Sequence, residues 1–176
     1  MAAVSVRRGV VTLALGIALS ATVAGSDGEL TEAQAKAGFL YNCALFVQWP
    51  ATAASRELLV GIMGSDQIAA VADTMQGRRV NGRLLRVKVV VASDDLRQFQ
   101  ILFVGSGTHV KGAQLAALRY LPVLTVGESS DFTATGGVVR LYTADQRLRF
   151  EINMTRVEDA GLQVSAKMLG LATVVR

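Results

Sequence analysis

"ILFVG", Ile101 to Gly105, has no charge and no polar side chain. A half-exposed strand alternates apolar and polar residues, because successive side chains point to opposite faces of the sheet. This stretch does not alternate, so it reads as a strand buried on both faces, the kind found in parallel sheets covered by helices. "ELLVGIMG", residues 57 to 64, reads the same way and is bounded by Gly64. "PVLTV", 122 to 126, is a further strand. Helical patterns stand between them. Ser65-Asp66 cap a helix with Ile68, Val71, Ala72 and Met75 inward, and a helix over 109 to 120 follows "ILFVG". Strands alternating with helices argue an α/β class: a single layered domain with a central, mainly parallel sheet and helices packed on it.

Working outward, "FLYNCALFVQWP", 39 to 50, belongs to a helix expected over 32 to 48. Thr31 and Gln34 have capping-box spacing. Leu40, Cys43 and Val47 recur at helical spacing between Phe39 and Phe46, and Trp49-Pro50 ends the run. "VNGRLLRVKVVV" starts with the turn dipeptide Asn81-Gly82, then sets Leu85, Val87, Val89 and Val91 opposite Arg86 and Lys88. "GGVVRLYTADQRLRFEIN" reads as a C-terminal β-hairpin. Leu148, Phe150 and Ile152 take one side of it; Arg147, Arg149, Glu151 and Asn153 take the other. Short helices follow: Thr155 with Glu158 has capping-box spacing, Gly161 is a stop, and "SAKMLGLA" opens the last.

The first 24 residues have the marks of a secretory signal peptide: Arg7 and Arg8, an uncharged run from Gly9 to Ala24, and small Thr22 and Ala24 before a cleavage point. The expectation is a leader over 1–24 and one α/β domain over 25–176. Without Arg7 and Arg8, 16 basic residues face 14 acidic ones, and the arginines are scattered. That argues against nucleic acid as a partner. A single cysteine in an exported chain excludes an internal disulfide, and Cys43, on the apolar stripe, reads as a buried small hydrophobe.

Catalytic chemistry is hard to assemble from these residues. His109 is the only histidine, and "GESSD", 127 to 131, lacks the closing glycine of a nucleophile elbow. "GSGTHVKG" has Gly105 and Gly107 but no third glycine in place for a dinucleotide loop, although it could hold an anion. Asp94-Asp95 and Glu158-Asp159 are sequence neighbours, better suited to solvated pairs than to a positioned acid and base. One histidine and one cysteine cannot form a His/Cys metal cluster. The expectation is no enzyme and no cofactor. Arg78-Arg79 and the row Arg147, Arg149, Glu151 remain, either as solvated faces or as a partner-binding face, where arginine makes planar, bidentate contacts.

Three ordered blocks carry a resemblance to the YfiR family of small periplasmic proteins. "AKAGFLYNCALFVQWP" resembles the family's opening helix, with Lys36, Phe39, Leu40, Tyr41, Asn42, Phe46, Trp49 and Pro50 matching. "ILFVG" and "VLTVGESSDFTATGGVVRL" resemble its middle through Leu124, Thr125, Phe132, Gly136 and Gly137. "RLRFEINMTRVEDAGLQVSAKMLGLA" resembles its ending, with Phe150, Glu151, Ile152, Asn153, Gly161, Leu162, Ser165, Leu169, Leu171 and Ala172 in place. Together they span residues 33 to 173. Two departures stand out. Cys43 occupies a place usually held by phenylalanine, and Phe99-Gln100 stand where relatives carry a Cys-His pair, which counts against redox control here.

The resemblance implies a non-enzymatic, periplasmic negative regulator. It would bind the sensory part of an inner-membrane diguanylate cyclase and hold cyclic-di-GMP low, and capture by an outer-membrane lipoprotein would relieve the repression and permit biofilm formation. It also implies a homodimer. On this reading the partner-binding residues are Tyr142, Arg147, Arg149 and Glu151, with Arg78 and Arg79 secondary; Glu151 and Asn153 have a rival role in structural hydrogen bonding. The alternative is a periplasmic small-ligand-binding module serving a membrane sensor or transporter.

Overall fold

Thr31 Oγ1 accepts a hydrogen bond from the Gln34 amide, and Gln34 Oε1 accepts one from Thr31 N–H at 2.8 Å. This capping box opens helix α1, Glu32–Phe46. The computed structural model describes residues 31–53, 55–108, 110 and 112–176; the leader expected over residues 1–24 lies outside them. The helix stops two residues short of the expected 48 because Val47 turns extended, and Val47–Gln48 form strand β1. Trp49 then donates its indole N–H to the carbonyl of Gln100 at 3.2 Å, pinning the helix exit beneath the sheet.

The remaining elements follow in the expected alternation: β2 (Glu57–Met63), α2 (Asp66–Asp73), β3 (Arg79–Val80), β4 (Arg83–Val89), β5 (Ile101–Val104), α3 (Gly112–Ala117) and β6 (Leu124–Gly127). The closing part is β7 (Val139–Ala144), β8 (Arg147–Asn153), α4 (Met154–Asp159), β9 (Gln163–Val164), α5 (Ala166–Leu169) and β10 (Thr173–Val175). Eight strands form one sheet in the order β10-β8-β7-β6-β5-β2-β4-β3, while β1 and β9 pair separately. Neighbours from β4 through β2, β5 and β6 to β7 run parallel; β3 is antiparallel to β4 and β8 to β7, while β10 runs parallel to β8. The fold is the expected mixed α/β layer with a C-terminal hairpin and short helices.

The unbroken apolar runs bury two faces at once. Val60, Ile62, Ile101, Phe103, Leu124 and Val126 point to the face covered by α1 and α2, where they meet Leu40, Cys43, Ile68 and Ala72. Met63, Leu102 and Val104 point to the other, against Leu115 and Leu118 around α3 with Phe99 and Phe132. Each such side chain contributes about 1.5–3 kcal/mol relative to leaving it in water. Phe132 is wedged between the Cα atoms of Gly127 and Gly137; a Cβ added at either would overlap its ring. Cys43 is fully buried and free, and burial pushes its thiol pKa well up, so it behaves as core.

Three local expectations are corrected. Helix α3 covers only 112–117, shorter than the predicted 109–120; His109 and Lys111 lie outside the described residues. Leu85 is buried, but Val89 and Val91 are 66% and 58% exposed. Their alternation does not lead to burial because β3 pairs only with Arg83 and Leu84, leaving the far end of β4 at the sheet edge. Helix α4 is capped not by Thr155 but by Asn153, whose side chain accepts from Arg156 N–H at 3.1 Å, because β8 runs directly into the helix.

Candidate functional site

The hairpin β7–β8 divides its side chains by pairing register. Leu141 opposite Phe150, and Val139 opposite Ile152, face α1, where Phe39 meets the Phe150 ring at 4.8 Å. Tyr142 opposite Arg149, Arg140 opposite Glu151, and Ala144 opposite Arg147 face the other way. Among the described residues, no helix lies over these side chains in the way that α3 lies over the central strands. Arg147 and Arg149 keep their water there, whereas the Arg140 and Glu151 side chains are only 24% and 16% exposed and pair with each other.

Part of this face is held in place. Thr133 donates its hydroxyl to Glu151 Oε1, and Arg140 Nη1 lies 3.5 Å from Glu151 Oε2. The Arg140 guanidinium stacks 4.7 Å from the centre of the Tyr142 ring. Its Nε is buried without a hydrogen-bond partner among the described residues. Asn153 ties the same loop down, donating to the Thr133 carbonyl at 3.3 Å. Below it Arg156 donates Nε to the Gly136 carbonyl and Nη1 to Asp159, which also receives Arg119 Nε at 2.9 Å. Beyond this anchored part, Arg147 and Arg149 are exposed.

The predicted residues therefore separate into groups. Tyr142, Arg147, Arg149 and Glu151 share one face, with Glu151 and Tyr142 half-buried and fixed by neighbours. Arg78 and Arg79 are not brought to them. Both are exposed at the opposite edge of the sheet, and four strands, β6, β5, β2 and β4, separate β3 from β7. Arg78 lies 5.9 Å from the Tyr41 ring, and Arg79 donates to the Gly82 carbonyl at 3.4 Å. Arg140 belongs to the hairpin face but escaped the sequence reading. The signal was available: carrying the period-two alternation from β8 back into "VVRLY" puts Arg140 beside Tyr142.

The face offers guanidinium groups in surplus over one carboxylate, suited to recognising acidic groups on a partner. Among the described residues, no group of three or more His, Cys, Asp or Glu side chains is placed to hold a metal ion. No helix among those residues is long and apolar enough to cross a membrane.

A layered α/β domain with one uncovered, arginine-bearing hairpin face has the form of a binding protein. The model of the YfiR/HmsC-like family matches residues 33–173, and the chain belongs to that family. The family is one of periplasmic regulatory proteins of diguanylate cyclase systems. Comparison with curated proteins gives no match.

Proposed function

We propose that this protein is an exported, non-enzymatic regulator that binds the periplasmic sensory part of an inner-membrane diguanylate cyclase and represses cyclic-di-GMP signalling. The contact is made through Tyr142, Arg147, Arg149 and Glu151, with Arg140 added to them. The observation carrying this reading is the uncovered outer face of β7–β8, where Arg140, Tyr142 and Glu151 are anchored and Arg147 and Arg149 project beside them. A fixed array loses little side-chain freedom on docking, which favours a specific contact over a diffuse one. Arg78 and Arg79, at the far edge, serve a second contact, such as a sequestering outer-membrane lipoprotein or the other protomer of a homodimer. Competition between partners then shifts the regulator on and off the cyclase by differential affinity.

The test is cellular cyclic-di-GMP in a strain deleted for this gene and complemented with wild type, a version without residues 1–24, or Arg147→Glu/Arg149→Glu. Deletion is expected to raise the level and only the exported wild type to restore it. A level unaffected by deletion overturns the cyclase reading, and full restoration by the charge-reversed protein overturns the assignment of the face.

A further inference from the structure

The parallel strands end at a second place where polar groups converge. From β2 the chain passes by α2 towards β4 on one side, whereas β5 lies on the other side of β2 and leads to α3 on the opposite face. Loops that part in this way leave a crevice beyond the carboxyl ends of the strands, where open α/β sheets hold their ligands. The loops after β2 and β5 touch backbone to backbone: a Cβ on Gly105 would come 2.6 Å from the Gly64 carbonyl oxygen.

An ion pair spans this crevice. Lys36, from the second turn of α1, pairs with Glu128, the residue after β6, and with Glu32 at 2.6 Å. Glu128 also accepts the Ser106 amide N–H at 2.8 Å. The Lys36 and Glu128 side chains are only 13% and 11% exposed. Open space nevertheless lies on both sides of them. One cavity of about 260 Å³ runs from the pair to Gly64, Ser65 and Gln67, and another of about 260 Å³ runs from it to Tyr142 and Thr143. The pair thus divides a single polar cleft lined by hydroxyl and amide groups.

We propose that this cleft binds a small zwitterion carrying a primary ammonium and a carboxylate, an amino acid by class, which inserts between Lys36 and Glu128. Charge balance selects that class. A simple anion taking Glu128's place on Lys36 and Ser106 N–H would strand the Glu128 carboxylate beside Glu32. A simple cation taking Lys36's place would strand the ammonium. Uncompensated charge in a shielded site is strongly unfavourable. A zwitterion replaces both partners together: its carboxylate meets Lys36 and the Ser106 amide, and its ammonium meets Glu128 and Glu32. Ser65 and Thr143, which line the two arms of the cleft, offer hydroxyls to the rest of the molecule. Insertion also releases the tie between α1 and the end of β6.

Amide NMR titration of the purified protein at constant ionic strength tests this, with glycine, β-alanine, acetate and ethylammonium as probes. Glycine or β-alanine is expected to give saturable shifts at Lys36, Ser106 and Glu128, whereas acetate and ethylammonium give none. A Glu128→Gln variant that keeps its fold is expected to bind ~10-fold more weakly or worse. Equal shifts with acetate alone or with ethylammonium alone overturn the proposal, as does the lack of saturable shifts at these residues. Unchanged affinity in folded Glu128→Gln also overturns it. The four-probe comparison on wild type decides the matter even where that variant does not fold.

Discussion

Strand β5 and the hairpin β7–β8 belong to the same sheet, yet they are built on opposite terms. All four residues of β5 are buried, two towards α1 and α2 and two towards α3. In the hairpin only the side facing α1 is buried, and the other keeps Arg147 and Arg149 in water. The difference follows from what the layers cover: α3 and its flanking loops protect the middle of one face, the loop carrying Thr133 reaches Glu151, and the turn end of the hairpin is left bare. A protein can thus hold its fold at the centre of a sheet and keep a recognition face at its end, with little energetic conflict between them.

The largest expected effect lies at the centre. Phe103→Ala is expected to cost about 3–5 kcal/mol in urea unfolding, because the surrounding core cannot close over the lost ring. A loss like that of a surface substitution would break the contrast. Thr125→Val probes the boundary. Thr125 Oγ1 accepts the Val138 N–H at 3.0 Å in a buried position, so the isosteric valine leaves that donor unpaired. The expected loss is about 1–3 kcal/mol.

A smaller effect depends on pH. Desolvation disfavours the Lys36 ammonium, but the hydrogen bonds and charges of Glu128 and Glu32 together outweigh it and raise its pKa above 10.5. A raised folded-state value stabilises the protein fully below the unfolded value and loses that contribution as pH rises through the folded one. Urea midpoints should therefore decline above the ordinary lysine range, and less so in Lys36→Met. An equal decline in both removes Lys36 as the cause. The smallest expected change in stability is that of Arg149→Glu, within about 0.5 kcal/mol as for an exposed site free of special contacts. Its expected effect on repression in cells is large, and a variant that is stable yet inactive would sharpen the comparison most.

Much of this architecture is legible in the chain because it rests on local chemistry. Unbroken apolar runs announced buried strands, Thr31 with Gln34 announced the start of α1, and the alternation in "RLRFEIN" divided the hairpin into two faces. Other features turn on neighbours. Asp145 and Gln146 make the hairpin turn at φ of 50° and 58° without the glycine that usually marks such a turn, so the pairing of β7 with β8 imposes it. Asn153 displaced Thr155 as a cap because a strand delivered it there. Val89 looked like core and is exposed because no element covers the sheet edge beside it.

The sequence by itself determined the class of fold, the burial of Cys43 and the charged character of the hairpin's outer side, since periodicity and side-chain chemistry act within a few residues. Only the tertiary structure decided that Arg78 and Arg79 lie far from Arg147 and Arg149, and that Arg140 joins the latter face. It also brought Lys36, Ser106 and Glu128 to one cleft across 92 residues of chain. Sheet order and helix placement set those distances, through long-range burial that no local pattern encodes.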